Sequence, residues 1–323
     1  MRARVPIIRI TLADMPLLEL FSGIGGAGLA WGGPIAGAID QSAHANRAWA
    51  AHHGREAIVR NLASVKAPFL AAFGADRWWM SPPCQPFTAR GARRDLDDPR
   101  TAALLRVLDI IAEVRPPTVA MENVPDFVVS ATRGHLRSVL IAAGYTLHER
   151  LMCPTALGIP MRRARYYLTA TLLGNSAHTT AFGPCTARNV RPIADFLDES
   201  ADPATYTDEA TVRSGGYSAH ILAADDPTAI ANCFTSAYGR SPVRAGSYLR
   251  DGVGVRLFSP EEILRLMGFP ATWSFPGDTP RRTRWELVGN SLSVDAVRSV
   301  LTDAGVSAPI RLLAPAVQQP GPA

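Results

Sequence analysis

The sequence predicts an α/β protein built on a doubly wound, mainly parallel sheet, with a second, small irregular domain. Three observations predict it. Short apolar runs alternate with stretches of helical period from Leu17 to Leu172. The first run ends in the turn Ser22-Gly23-Ile24-Gly25-Gly26-Ala27-Gly28, the punctuation of a strand that feeds a helix. From Asn175 to Gly254 the chain is rich in Gly, Pro, Ser, Thr and Ala with few helical periods, and order returns at Ser259. The expected division is an extension over 1–15, a main domain over 16–174, the small domain over 175–258, and a return to the main domain over 259–310. A disordered tail rich in Pro, Gly, Gln and Ala follows over 311–323.

The elements follow in order. Leu17 to Phe21 is the first strand, and Leu29, Ala30 and Trp31 resume apolar content at helical spacing after the turn. Ile35 to Ile39 is a second strand closed by Asp40, and residues 42–53 read as a helix. A third short strand lies near Ile58 and Val59, and a fourth, Arg77-Trp78-Trp79-Met80, leads to Cys84. Pro99 opens a helix over 99–114 whose Leu104, Leu105, Leu108, Ile111 and Ala112 recur at helical spacing. Val119-Ala120-Met121 is a fifth strand with Glu122-Asn123-Val124-Pro125 at its carboxyl end. A helix at about 132–143 and strands near 145–152 and 166–172 complete the alternation. Ser259 is the expected N-cap and Pro260 the first residue of a later helix, and a last helix follows Gly289-Asn290-Ser291.

Composition narrows the function classes. With 323 residues and 47% hydrophobic content the chain is globular and long enough to bury a sizeable core. Its net charge of +5 is compatible with a polyanionic partner. Lys66 is the only lysine, and arginine is the better bidentate phosphate ligand. Cys84, Cys153, Cys185 and Cys233 include no C-x-x-C pair and no zinc-like spacing with histidine, so neither a disulfide scaffold nor a metal is expected. Pro6, Arg9 and Asp14 interrupt any apolar leader, and no run approaches the ~18 apolar residues of a membrane span. A cytoplasmic monomer is expected, with Met15 as an alternative start.

The chemistry concentrates at Met80-Ser81-Pro82-Pro83-Cys84-Gln85-Pro86-Phe87-Thr88. Two prolines with fixed φ and no N–H hold Cys84 in a stiff, extended place. The strand before them aims the thiol at the carboxyl edge of the sheet, where open α/β sheets bind ligands. An apolar core position would not call for these flanks. Glu122 is a second reactive candidate, because a glutamate at the end of a buried strand is ordinarily paired or working. Arg163 and Arg165 alternate on the approach to Tyr166 and so share a face that can hold a base carbonyl or a phosphate. Gly23, Gly25 and Gly28 fit G-x-G-x-x-G, which alone suggests a dinucleotide. The ring of Phe21 beside the turn and the extra Gly26 instead suit S-adenosylmethionine, which has no pyrophosphate, and Asp40 can accept from ribose hydroxyls.

Phe21-Ser22-Gly23-Ile24-Gly25-Gly26, Pro82-Pro83-Cys84-Gln85-Pro86-Phe87, Glu122-Asn123-Val124, Arg163-Ala164-Arg165 and Gly289-Asn290-Ser291 together resemble the cytosine-5 DNA methyltransferases in order and spacing. The resemblance covers about 16–300. Cys233-Phe234-Thr235 and Ala237-Tyr238-Gly239, with Asp98-Pro99-Arg100-Thr101, look most like the type 2 homologue that methylates the anticodon loop of aspartate tRNA. The resemblance implies the Rossmann-like fold of class I methyltransferases and S-adenosylmethionine as cofactor. It implies that Cys84 adds as thiolate to carbon 6 of cytosine, favoured by Arg163 and Arg165, while Glu122 bonds ring N3 and the exocyclic amine and Arg165 holds O2. It carries cofactor contacts to Phe21, Gly23, Ile24, Gly25, Asp40, Asn61, Leu62, Ser81, Asn290 and Ser291. Asn61 stands where an acidic residue is more usual, and Met161 where many relatives have a polar one.

A thiol cannot reach a stacked base, so the target is expected flipped or unpaired. Arg90, Arg93, Arg94 and Arg100 after Cys84 are placed to clamp phosphates. The short small domain favours a tRNA loop, with DNA as the alternative polymer. A catalytically silent binding module would lack Cys84 or Glu122. A nicotinamide oxidoreductase is what the glycine pattern alone would suggest.

Overall fold

The computed structural model describes residues 15–88, 94–172, 177–214 and 219–303. The expected extension, the tail, and Arg90 and Arg93 lie outside the described residues. The first half alternates strand and helix: β1 (Leu17–Leu20), α1 (Gly26–Trp31), β2 (Ile35–Asp40), α2 (Ala43–His53), β3 (Ile58–Val59), α3 (Ala67–Ala71) and β4 (Arg77–Met80). It continues through α4 (Ala102–Val114), β5 (Thr118–Asn123), α5 (Ala131–Ala142), β6 (Thr146–Met152) and β7 (Arg165–Thr171). The later part holds β8 (Thr179–Ala181), β9 (Tyr206–Thr207), α6 (Glu209–Ser214), β10 (Ile221–Ala223), β11 (Tyr248–Arg250) and β12 (Val255–Leu257). Three helices end the described chain, α7 (Pro260–Leu266), α8 (Arg281–Asn290) and α9 (Val294–Asp303).

The large sheet has the order β3-β2-β1-β4-β5-β7-β6-β8. Strands β1, β4 and β5 are buried at every position, as a parallel strand covered on both faces must be. Alternate residues divide between two cores. Trp78, Met80, Val119 and Met121 pack with Leu108 and Ile111 of α4, whereas Trp79 and Ala120 pack with Trp31, Val297 and Val300. The chain passes from β1 to β2 on one side and later lays β4 on the other side of β1. A topological switch therefore opens between the carboxyl ends of β1 and β4, which puts the glycine turn and Cys84 at one crevice.

The alternation expected through residue 172 stops earlier. Only a 3-10 turn at Pro154–Leu157 is found between β6 and β7, so β7 returns antiparallel between β5 and β6. The large sheet also takes β8 beyond the expected boundary at 175. The smaller sheet, β10-β11-β12-β9, has a small cluster of its own, Val212, Tyr248 and Val255, and also enters the larger core. Leu249, Phe234, Tyr238 and Phe258 share a buried cluster with Ile263, Met267, Trp285 and Val297. Helix α7 begins as its sequence requires, with Ser259 and Glu262 forming a reciprocal capping box.

Beneath the glycine turn lies Glu19, fully buried in β1. Its two oxygens accept from Gly28 N at 2.8 Å and Trp49 Nε1 at 2.7 Å, tying the start of α1 to α2. Burial outweighs those bonds and the nearby Arg55, and pushes the carboxyl from 4.5 up to about 7. The proton is therefore held more tightly in the fold than in the unfolded chain. Glu19 contributes its full stability below pH ~4.5 and loses about 3 kcal/mol of it as the pH rises through about 7. Glu19→Gln should lack this dependence. Urea unfolding of both proteins from pH 4.5 to 8 checks it, and a constant difference between them would refute the titration.

Candidate active site

One cavity of about 610 Å³ opens at the switch point. Of the residues expected from sequence, Phe21, Gly23, Ile24, Asp40, Asn61, Leu62, Ser81, Cys84, Glu122, Arg163, Arg165, Asn290 and Ser291 all line it. Gly25 is not among the lining residues. Its φ is +88°, and a Cβ there would stand 2.8 Å from Trp49, so glycine is required by backbone conformation and by the approach of α2.

The turn is held from below. Gly23 N donates to Asp40 Oδ2 at 2.9 Å and Ser42 N to Asp40 Oδ1 at 2.8 Å, while burial raises the Asp40 carboxyl above its ordinary value. Phe21 adopts φ +54°, a left-handed conformation unusual for an aromatic residue, as the chain leaves β1. Ser81 N donates to Leu20 O at 3.3 Å, and Ser81 Oγ accepts from Trp79 Nε1 at 2.7 Å. Asn61 Oδ1 accepts from Ala63 N and shapes the next turn at the cavity wall.

Across the cavity, Cys84 follows β4 on its proline pair, half-buried. Asn123 Nδ2 donates to Pro82 O at 3.4 Å and Phe87 N to Cys84 O at 3.0 Å. Glu122 faces Tyr167 across the β5–β7 ladder, and Arg165 Nε meets Glu122 Oε1 at 2.9 Å. Burial pushes the Cys84 thiol up. Arg165 is the strongest pull downward, Glu122 pushes up again, and Arg163 pulls down more weakly. The expectation that the two arginines favour a thiolate thus holds for their own contributions, but burial prevails.

Arg163 does more than was expected of it. Its guanidinium is buried, with Nη1 donating to Phe234 O at 2.8 Å and Nη2 to Gly289 O at 3.3 Å and to Ser291 O. It thereby joins the approach to β7, the segment after β10 and the end of α8. Both arginines also reach Cys233 Sγ, at 3.5 Å from Arg163 Nη1 and 3.6 Å from Arg165 Nη2. Burial raises the Cys233 thiol, but the two guanidiniums outweigh it and leave the thiol below its ordinary value. The Cys233-Phe234-Thr235 motif is visible in the sequence; its contact with the two arginines is not, because about 70 residues separate them.

Gly289 completes the join. A Cβ there would lie 2.2 Å from Thr235 C and 2.3 Å from Ser236 N, where backbone cannot yield. Gly289→Ala should lose about 3 kcal/mol of stability by overpacking, despite alanine's better helix propensity. Gly277, with nothing within 4 Å of its Cβ position, should accept alanine within about 0.5 kcal/mol. Denaturant melts of the two variants test the difference.

Among the described residues no group of His, Cys, Asp and Glu could hold a metal ion, and no helix is long and apolar enough to cross a membrane. Residues 15–305 match the family of C-5 cytosine-specific DNA methylases. The chain is 31% identical to a tRNA (cytosine(38)-C(5))-methyltransferase of Schizosaccharomyces pombe, over 88% of this chain and 95% of that protein. It is 27% identical to a DNA (cytosine-5)-methyltransferase of Dictyostelium discoideum, over 90% and 94%. Its fold superposes on the crystal structure of the S. pombe Dnmt2 methyltransferase with a TM-score of 0.78 and 30% identity, covering 90% of this chain and 98% of that one. With its motifs gathered around one cavity and its whole fold matched, the chain belongs to the C-5 cytosine-specific DNA methylase family and is a cytosine-5 methyltransferase.

Proposed function

We propose that this enzyme methylates carbon 5 of a cytosine in the anticodon loop of a tRNA, using S-adenosylmethionine, in the cytoplasm and as a monomer. The observation that carries the chemistry is the Arg165–Glu122 pair set in the same cavity as Cys84 and the glycine turn. The cofactor fits the turn side. A Cβ at Gly23 would stand in open space, and Ser22 Oγ, which lines the cavity, is buried without a protein partner. Phe21, Gly23, Ile24, Asp40, Asn61, Leu62, Ser81, Asn290 and Ser291 would hold the cofactor there, with Gly25 shaping the turn. S-adenosylmethionine, when bound, supplies an electrophilic methyl group.

The chain's own residues prepare the base. Cys84 Sγ adds to carbon 6 and makes carbon 5 nucleophilic, the covalent strategy for a ring that is otherwise too inert. The proton that Cys84 gives up is shared between the Glu122 carboxyl and ring N3, Glu122 also accepts from the exocyclic amine, and Arg165 donates to O2, so charge developing on the ring meets fixed partners. Arg163 holds the walls on which these groups stand. When a base takes the proton from carbon 5, the electron pair of that bond re-forms the carbon 5–carbon 6 double bond and Cys84 leaves as thiolate. Burial keeps Cys84 as a thiol before the base arrives, so its proton leaves only once the target is in place.

The polymer is argued from the relatives and from cost. The S. pombe relative named as a tRNA methyltransferase matches the chain nearly end to end. Extruding a base from a duplex costs a few kcal/mol, and an anticodon loop offers it unpaired. Arg100, held bidentately by Asp98 at the cavity edge, is positioned for a flanking phosphate. The Dictyostelium relative named for DNA supports DNA as the second reading. Purified wild type and Cys84→Ala should be offered labelled S-adenosylmethionine with tRNA and with genomic DNA from a host lacking this gene. Label should enter tRNA and fall at least 1,000-fold in the variant, as expected for loss of a covalent nucleophile. Label in DNA alone would overturn the tRNA assignment and leave the chemistry standing.

A further inference from the structure

Among the described residues, the chain that follows β4 and carries Cys84 is tied at three places to the segment that follows Glu122 at the end of β5. Near the strand ends, Asn123 Nδ2 donates to Pro82 O. Midway, the buried rings of Phe87 and Phe127 meet edge to face, with centroids 4.9 Å apart. At the far end stands Asp95. Its carboxylate accepts from Ala131 N at 2.6 Å, and from Thr132 N at 3.0 Å and Thr132 Oγ1. Its carbonyl accepts from Thr101 Oγ1 at 2.7 Å. Thr101 and Thr132 are themselves buried.

Helix α5 already has its own cap, since Ser130 Oγ accepts from Arg133 N. Asp95 therefore satisfies the remaining first-turn donors from a different segment of the chain. It does so with φ at +49°, a left-handed conformation that costs an aspartate free energy. A strained residue with three bonds to another element fixes a position that local propensity would not choose.

We infer that Asp95 is a positioning residue for the methyl-transfer reaction: it fastens the far end of the nucleophile loop to α5, so that Cys84 and Glu122 are held as one unit. The inference rests on the catalytic roles proposed above for those two residues. Asp95 is not among the residues that line the cavity, so cofactor affinity is not its concern.

Three variants of the full chain test it: Asp95→Ala, Asp95→Asn and Ser130→Ala. Asparagine tolerates a left-handed φ and keeps an acceptor, whereas Ser130→Ala weakens the same helix end without touching the nucleophile loop. Asp95→Ala should lower kcat at least tenfold and leave the S-adenosylmethionine Kd within twofold. Asp95→Asn should recover most of that loss. Ser130→Ala should lower Tm by as much as Asp95→Ala while keeping kcat within twofold. Without any polymer, the rate of Cys84 alkylation by iodoacetamide, followed by peptide mass spectrometry, should change at least threefold in Asp95→Ala and not in Ser130→Ala. Equal kcat in Asp95→Ala and Ser130→Ala, or an unchanged Cys84 alkylation rate, would overturn the inference. A wild type that methylates neither polymer, with the alkylation difference intact, would instead overturn the functional proposal and leave the fastening in place.

Discussion

The site depends on one buried guanidinium. Arg163 donates to carbonyls of Phe234, Gly289 and Ser291, which belong to segments far apart in sequence. A charge so deeply placed is tolerable only where most of its donors are met, and here backbone oxygens meet both Nη1 and Nη2, leaving Nε without a partner. The consequence reaches past the arginine. The smaller sheet keeps only a small cluster of its own, Val212, Tyr248 and Val255, and buries Leu249 in a core shared with α7, α8 and α9, so its place in the fold is set by that shared packing and by this fastening. Gly289, lying against Thr235 and Ser236 backbone, lets α8 come close enough for the carbonyls to converge. The side of the cavity formed by Asn290 and Ser291 and the side that carries Arg163 and Arg165 are in this way one structure.

Every nitrogen of the Arg165 guanidinium has a partner within the protein. Arg165 gives Nε to Glu122, Nη1 to Ala164 O and Nη2 to Cys233. Two thiols near the same arginines are displaced in opposite directions, Cys84 upward and Cys233 downward. The difference is geometric. Cys233 touches both guanidiniums, while Cys84 feels them at longer range and feels the Glu122 carboxylate as well. A thiol raised by burial is less open to stray electrophiles, which suits the role proposed for Cys84. In the proposed reaction a thiolate is useful only once carbon 6 is within reach.

Much of this was legible in the sequence because it is written locally. The strand, glycine turn and helix at Leu17 to Trp31, the stiff Pro82-Pro83 before Cys84, and the Ser259 cap are short-range patterns, and each forms as its residues dictate. Helix α8 was not legible. Its ten residues include Arg281, Arg282 and Arg284 and bury only Trp285, Leu287 and Val288, so no apolar stripe marks it. The direction of β7 escaped for a similar reason: residues 153–164 lack a helix, but their length alone did not say so. Arg163 was legible as a site residue from its alternation with Arg165. Its carbonyl partners were not, because Phe234 and Ser291 meet it only in three dimensions. Asp95 carried no sequence signal, since a cap supplied from another segment has no fixed spacing.

The near absence of lysine has one reading as composition and another at the site. A basic sequence can use arginine everywhere for reasons unrelated to structure, and the exposed arginines call for no other account. At 163 and 165 the planar fork is used as a fork. Arg163 spans three carbonyls from two nitrogens, and Arg165 serves a carboxylate, a carbonyl and a thiol from three nitrogens. An ammonium has three donors at a single point and cannot span acceptors placed on opposite sides of it. It would also resist burial at Arg163, where it would shed its proton more readily than a guanidinium. The side-chain type at these two positions therefore follows from what converges on them, whatever the rest of the chain does with its basic residues.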